Sequence, residues 1–172
     1  MAAIDEYKKF LASKPEAQRE YRTVEFYHPD FASALRFVKD FKDRDLTLES
    51  TAPRNPGATV TFTAISMDVV EPAENQDGVQ ILSINVGATN DELQNQVDLI
   101  TVANRFTPVE CIYRKFYSGD LSEPVLVLNL SVSNIDFEGY TRNNITAEDM
   151  DLANKSSGEL YTLSRFPLLD GI

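Results

Sequence analysis

Val109-Glu-Cys-Ile-Tyr-Arg-Lys-Phe-Tyr117, Ser118-Gly-Asp120 and Val125-Leu-Val-Leu-Asn-Leu-Ser-Val132 are the stretches whose reading decides the fold. Two runs rich in β-branched, aromatic and aliphatic residues flank a short polar turn, the signature of an antiparallel strand pair. Alternation along the first run hides Cys111 on one strand face.

The same period of two recurs upstream. From Tyr21, the set Arg22, Val24, Phe26 and His28 alternates with Tyr21, Thr23, Glu25 and Tyr27, as in a strand with two dissimilar faces. A second strand covers Ala34 to Phe41, and the polar Lys42–Asp45 turn returns Leu46–Glu49 as its hairpin partner. Thr51–Ala58 is dense in breakers and reads as a loop. Thr59–Val70 is long for one strand, and its alternation slips near Ala64-Ile65, which predicts a bulge or bend. A loop over Pro72–Gly78 and a strand over Val79–Val86 follow.

Two segments carry helical spacing. Ile4, Tyr7 and Leu11 share a side in the first dozen residues, with Phe10 beside them, and Pro15 bounds that helix. Thr89 and Glu92 have capping-box spacing, and Leu93, Val97 and Ile100 recur at i, i+4, i+7, which predicts a helix over about 90–102. The chain turns polar from Phe137 to Gly158 and apolar again from Leu160 to Ile172.

The resulting expectation is a mostly-β fold: an antiparallel β-sandwich with one packed helix, a short N-terminal helix and extended terminal arms. Residues 1–20 form a helical arm and residues 21–136 the core. Residues 137–172 form an extended arm that packs back on the core or on a neighbour. Phe166-Pro-Leu-Leu169 is costly to leave in water, since each Leu or Phe side chain gains about 1.5–3 kcal/mol on burial.

At 172 residues and 42% hydrophobic content the chain is long enough for its own core. Its net charge of −11, with no cluster of Lys and Arg, argues against nucleic-acid and anionic-membrane partners. No window approaches the ~20 apolar residues of a membrane span. The N-terminus lacks the basic and apolar regions of a secretory signal, which points to a cytosol-like compartment. On that ground the sequons at Asn129, Asn144 and Asn154 read as chance matches.

Little in the sequence offers chemistry. One histidine, His28, and one cysteine, Cys111, cannot supply a zinc site without two or more carboxylates. No nucleophile elbow, phosphate loop or dinucleotide fingerprint appears. His28 reads as structural or interfacial, and Cys111 as buried and inert. Glu148-Asp-Met-Asp151 crowds oxygen ligands but lacks the Gly and closing Glu of a calcium loop, so it reads as a solvated acidic turn or a helix start after Thr146, and Glu71, Glu74 and Asp77, which flank a loop, read the same way. The expectation is a protein with no catalytic, cofactor-binding or metal-binding residues, and no enzyme.

Phe26-Tyr-His-Pro-Asp-Phe31, Glu49-Ser-Thr-Ala-Pro53, Gly57-Ala-Thr-Val-Thr-Phe62, Phe106-Thr-Pro-Val-Glu110, Tyr113-Arg-Lys-Phe-Tyr117 and Arg165-Phe-Pro-Leu-Leu-Asp-Gly171 occur in order along nearly the whole chain. Together they resemble a family of small minor tail proteins of long-tailed bacteriophages and prophages, similar to distal tail proteins. The resemblance implies a β-sandwich subunit of a homo-oligomeric ring, usually of six copies, joining the tail tube to the tip complex. It implies tail tube, tape-measure and tip or hub proteins as partners. It also places the protein at the distal end of the virion tail, after a stay in the host cytoplasm. One alternative is a receptor- or glycan-binding module at the tip, with Tyr113, Phe116 and Tyr117 as an aromatic platform. Another is an assembly factor absent from the mature virion.

Overall fold

The structure, a computed structural model, describes residues 2–13, 19–71, 81–87, 92–138 and 142–148. Its elements are α1 (Ala2–Ser13), β1 (Glu20–Tyr27), β2 (Leu35–Lys39), β3 (Arg44–Thr47), β4 (Thr59–Ile65), β5 (Met67–Val70), β6 (Ile81–Gly87), α2 (Glu92–Val97), β7 (Glu110–Tyr117), β8 (Leu126–Glu138) and β9 (Arg142–Glu148). The fold is mostly β, as the periodicity predicts. The nine strands form one sheet in the order β3-β4-β2-β1-β7-β8-β9-β6-β5, antiparallel except for the β2–β4 pair.

The β7–β8 pair lies where its sequence puts it, from Lys115 opposite Leu126 to Glu110 opposite Ser131. Alternation then sorts each strand into two faces. Val24 and Phe26 of β1, Phe37 of β2, Val69 of β5, Leu82 and Ile84 of β6, Tyr113 of β7 and Ile145 of β9 meet in one buried cluster. The sheet therefore wraps so that strands from both of its halves share one core.

One covalent feature makes the wrap possible. β4 is second from one margin of the sheet and β5 forms the other margin, yet only Ser66 separates them in sequence. The bend predicted near Ala64-Ile65 falls at Ser66, where the carbonyl accepts the Gly87 N–H at 2.9 Å. Lys39 Nζ of β2 pairs with Asp68 at 2.9 Å and Arg22 Nη1 of β1 donates to the Val69 carbonyl at 3.3 Å, tying β5 to β2 and β1.

The opposite face of β1, β2, β4 and β7 is also buried. Val38, Phe62 and Phe116 pack under Leu46 of β3 and under Leu48 and Ala52 of the following loop. That loop turns back through Asn55 (φ 53°) and Gly57 (φ 67°), both in the left-handed region.

Several expectations are corrected. β3 does not pair with β2; β4 inserts between them, parallel to β2, so the expected hairpin becomes a crossover. Polarity from residue 137 onward predicts an arm, yet β8 runs to Glu138 and residues 142–148 form β9 between β8 and β6. A strand needs only alternate residues inside, and β9 supplies Asn143, Ile145 and Ala147, which was too thin a signal to read.

Helix α2 ends at Val97 rather than near residue 102. Its last turns tighten, with Leu99 N–H to Gln96 O and Ile100 N–H to Val97 O. The next amide, that of Thr101, is taken by the Asp30 carboxylate instead of a helical carbonyl. On α1, Tyr7 and Phe10 pack beside Tyr117 while Leu11 is exposed, so the buried stripe is one residue out of the predicted phase. The capping residue Thr89, the loop at 72–80 and the apolar stretch 160–172 lie outside the described residues.

Candidate interaction surface

The singled-out residues that fall among the described ones have definite places. His28 is fully buried beside Phe31, and its Nδ1 accepts the Asp30 N–H at 3.1 Å. That bond leaves the ring proton to Nε2, which finds no hydrogen-bond partner among the described residues. Cys111 is fully buried, and burial pushes its thiol up to about 12. Neither residue is arranged as half of a nucleophile–base pair.

Tyr113, Phe116 and Tyr117 do not form an exposed platform. All three are buried, with Tyr113 in the inner cluster and Phe116 on the opposite face. This removes the feature that a tip-displayed glycan binder would need from them. Glu148 closes β9 and accepts a bond from Ser133 Oγ at 3.1 Å, while Asp149, Asp151, Glu74 and Asp77 lie outside the described residues. No group of three or more His, Cys, Asp and Glu able to hold a metal ion occurs among the described residues.

Two ionic clusters brace the fold. On the inner side, Glu71 accepts bonds from Tyr113 Oη and Lys115 Nζ, both at 2.8 Å, and lies 3.4 Å from Arg22. Burial opposes its ionisation, but Lys115, Tyr113 and Arg22 hold its carboxyl below the usual range. Burial, then the bond to Glu71, push the Tyr113 phenol far up. Close by, Tyr7 of α1 donates to Glu20, which docks the N-terminal helix.

On the outer side, fully buried Arg114 reaches Glu25 at 3.0 Å and forks onto Glu49 at 2.8 and 2.9 Å. Arg36 and Arg54 close on the same Glu25, and Arg54 continues to Glu110 at 2.6 Å. The Arg54 guanidinium also stacks on Tyr27, 4.2 Å from the ring centre. Burial opposes the charge on Glu25, yet the bond from Arg54 and the charges of Arg114 and Arg36 hold its carboxyl below the ordinary value. These charges pair with one another, with only Arg54 Nη2 left buried without a hydrogen-bond partner among the described residues, and so they lock the 48–58 loop.

Among the described residues the exposed large apolar side chains are Leu11, Phe41, Val70, Ile81, Leu99, Val102 and Phe106, and the three most exposed of them, Phe41, Phe106 and Val102, lie at two places. Phe41, 101% exposed, stands on the turn after β2. Asp40 fixes that turn by accepting the Phe41 N–H at 2.8 Å and the Arg44 guanidinium. Beside it opens a cleft of about 330 Å³ whose lining includes Tyr21, Phe41, Ile65 and Met67.

The other place is the 98–107 turn, where Val102 is 79% and Phe106 84% exposed. One carboxylate pins it: Asp30 accepts from Thr101 N–H and Oγ1, each at 2.8 Å, and from Asn104 Nδ2 at 2.6 Å. These bonds, the Thr101 amide foremost, hold the Asp30 carboxyl below its usual range. The Arg105 guanidinium lies over the Phe106 ring at 4.6 Å.

The two tips sit at opposite ends of β1. Phe41 follows Lys39, on the Glu20 side of the Val38–Thr23 pair, whereas the 98–107 turn leads into Glu110, which pairs with Tyr27. At about 3.3 Å per residue, the strand between them spans roughly 23 Å. Sequence reasoning placed Phe41 inside a strand and Val102 in a helix, and passed over Asp30. The Asp30–Thr101 link joins distant segments and has no local signature.

A family model described as "Domain of unknown function (DUF1833)" matches residues 6–160. No curated protein matches the chain.

Proposed function

Starting from the chain's membership of the DUF1833 family, we propose that it is a non-enzymatic structural subunit that acts by self-assembly, at the distal end of a bacteriophage tail. The observation that carries this reading is the pair of apolar tips, Phe41 and Phe106, held out on pinned turns at opposite ends of β1. A monomer gains nothing by fixing exposed phenylalanines in place, whereas an interface gains from preorganisation, because less entropy is lost on contact. Two different patches at opposite ends suit heterologous, head-to-tail contacts, which close into a ring when the rotation permits.

The tail location rests on the sequence resemblance, which names the tail tube, tape-measure and tip proteins as neighbours. The net charge of −11 fits subunits that remain apart until they dock. Light scattering coupled to size-exclusion chromatography tests self-assembly. The wild-type chain should form a discrete oligomer, and Phe41→Ser and Phe106→Ser should each shift it towards monomer. Immunogold labelling of particles tests the location, with label expected only at the distal end of the tail. A wild-type monomer at every concentration, together with particles that carry no label, would overturn the reading.

A further inference from the structure

We propose that the Phe106 tip of one copy of this chain seats in the cleft beside Phe41 of the next, so that the two tips are the halves of a single contact. This rests on the self-assembly reading for the presence of a second copy and goes on to say which surface meets which.

The two ends of β1 differ in shape. Phe41 stands between two depressions, the cleft of about 330 Å³ that Ile65 and Met67 also line and a second of about 580 Å³ that reaches Lys42 and Arg44. Tyr21 lines both. At the other end Val102 and Phe106 project into solvent from a turn that Asp30 holds through Thr101 and Asn104. One end offers an apolar hollow and the other an apolar knob, each held in place before contact.

Their charges also differ. Arg19, Lys42 and Arg44 line the larger hollow against one carboxylate, Asp40, in a chain whose net charge is −11. Asp40 already accepts from the Phe41 N–H and from Arg44, whose guanidinium lies 4.8 Å from the Tyr21 ring centre. Arg19 and Lys42 are exposed and form no salt bridge among the described residues. The nearby Asp43 and Asp45 are turned towards β4, onto the Ala64 N–H and Thr61 Oγ1. The knob has the opposite balance: Glu92, Asp98 and the pinning Asp30 surround it, against Arg105, which is drawn over the Phe106 ring. A positive hollow and a negative knob set the register of a contact and speed its formation.

Distance excludes the chain's own knob. The two ends lie roughly 23 Å apart along β1, and the Asp30 bonds fix the 98–107 turn at its end. A second copy meets no such limit, and its own hollow is then left open for a third.

The test mixes two full-length variants. Phe41→Ser spoils the hollow and keeps the knob, whereas Phe106→Ser does the reverse. Each alone should be monomeric by light scattering coupled to size-exclusion chromatography. Mixed in equal amounts they should form a dimer and nothing larger, because one intact contact remains between them. That dimer should weaken about fivefold when salt is raised from about 0.05 to 0.5 M, and again when the hollow-bearing variant carries Lys42→Glu. Circular dichroism and thermal melts establish that each variant is folded. Should a serine variant unfold, Lys42→Cys and Val102→Cys chains treated with a short bismaleimide should cross-link when mixed and not alone, since Cys111 is buried. A mixture that stays monomeric while wild type assembles overturns the proposal and leaves self-assembly standing. So does either serine variant forming a dimer alone, which would mean that each tip meets its like. A wild-type chain that is monomeric at every concentration overturns both.

Discussion

Arg114 lies fully buried on β7 and forks its Nε and Nη2 onto the two carboxylate oxygens of Glu49, at 2.8 and 2.9 Å, across 65 positions of sequence. Its remaining nitrogen, Nη1, reaches Glu25 at 3.0 Å. One side chain thus fastens the loop that covers the outer face to the two central strands beneath it. Arg is suited to this because its planar fork matches a carboxylate and keeps its charge when buried.

Removing that fork leaves the Glu49 carboxylate without its partner and Glu25 with only Arg36 and Arg54. Arg114→Met should destabilise the fold by about 3–5 kcal/mol, the cost of breaking a buried ion pair from one side. Glu49→Gln combined with it should cost less than the sum of the singles, since both act on one interaction. Urea unfolding midpoints check both statements, and additive effects would contradict the coupling.

Acid should act through the same cluster. The folded-state pKa of Glu25 lies below its ordinary value of 4.5. A depressed carboxylate contributes stability that is complete above the unfolded value and is lost as pH falls through the folded one. Asp30 and Glu71 shift in the same direction. Stability governed by these groups should therefore hold from pH 7 to about 5 and decline below about 4.5. In Glu25→Gln that acid decline should be shallower, at the expense of lower stability at pH 7. An unchanged slope between pH 5 and 3 would exclude Glu25 as a contributor.

Gly119 in the β7–β8 turn is held to glycine by a ring. A Cβ there would meet Tyr117 Cε1 at 2.4 Å and Cζ at 2.7 Å. The Tyr117 ring is itself packed against Phe10 of α1, at 4.9 Å between centroids, so it cannot yield without disturbing the helix. Gly119→Ala should destabilise by about 1–3 kcal/mol, as overpacking does. It should also raise amide exchange across α1. Gly57→Ala, with open space around it but φ of 67°, should cost only about 1 kcal/mol. Equal losses at the two sites would refute the steric account.

Cys111 gives a clean probe of global unfolding. Fully buried and with its thiol pushed up to about 12, it should resist alkylation at pH 8 in the native state. Labelling should proceed only as fast as the chain opens, and the half-time should shorten in Arg114→Met. Rapid labelling of the native protein would show that the inner cluster is open to solvent.

Much of the fold was legible in the residues. The period of two in Val109–Tyr117 and in Tyr21–His28 determined strands with distinct faces, because a pleated strand turns successive side chains to opposite sides. The slip near Ala64-Ile65 foretold the corner at Ser66, since a register change of one residue must reverse which face is buried. Burial of Cys111 followed from the same alternation.

Tertiary structure alone decided the rest. Parallel insertion of β4 between β2 and β3, and recruitment of polar β9 to the sheet, depend on which edges are left to pair. Helix α2 ends at Val97, although the helical spacing of Leu93, Val97 and Ile100 continues past that point, and Asp30 takes the Thr101 amide in the turn beyond. The tips became visible only when Phe41 and Phe106 stood in solvent at opposite ends of one strand. Local periodicity fixes which face of an element is apolar, because that depends on neighbours in the chain. Which partner covers that face, or leaves it bare, depends on contacts between residues far apart in sequence, and those exist only in the folded chain.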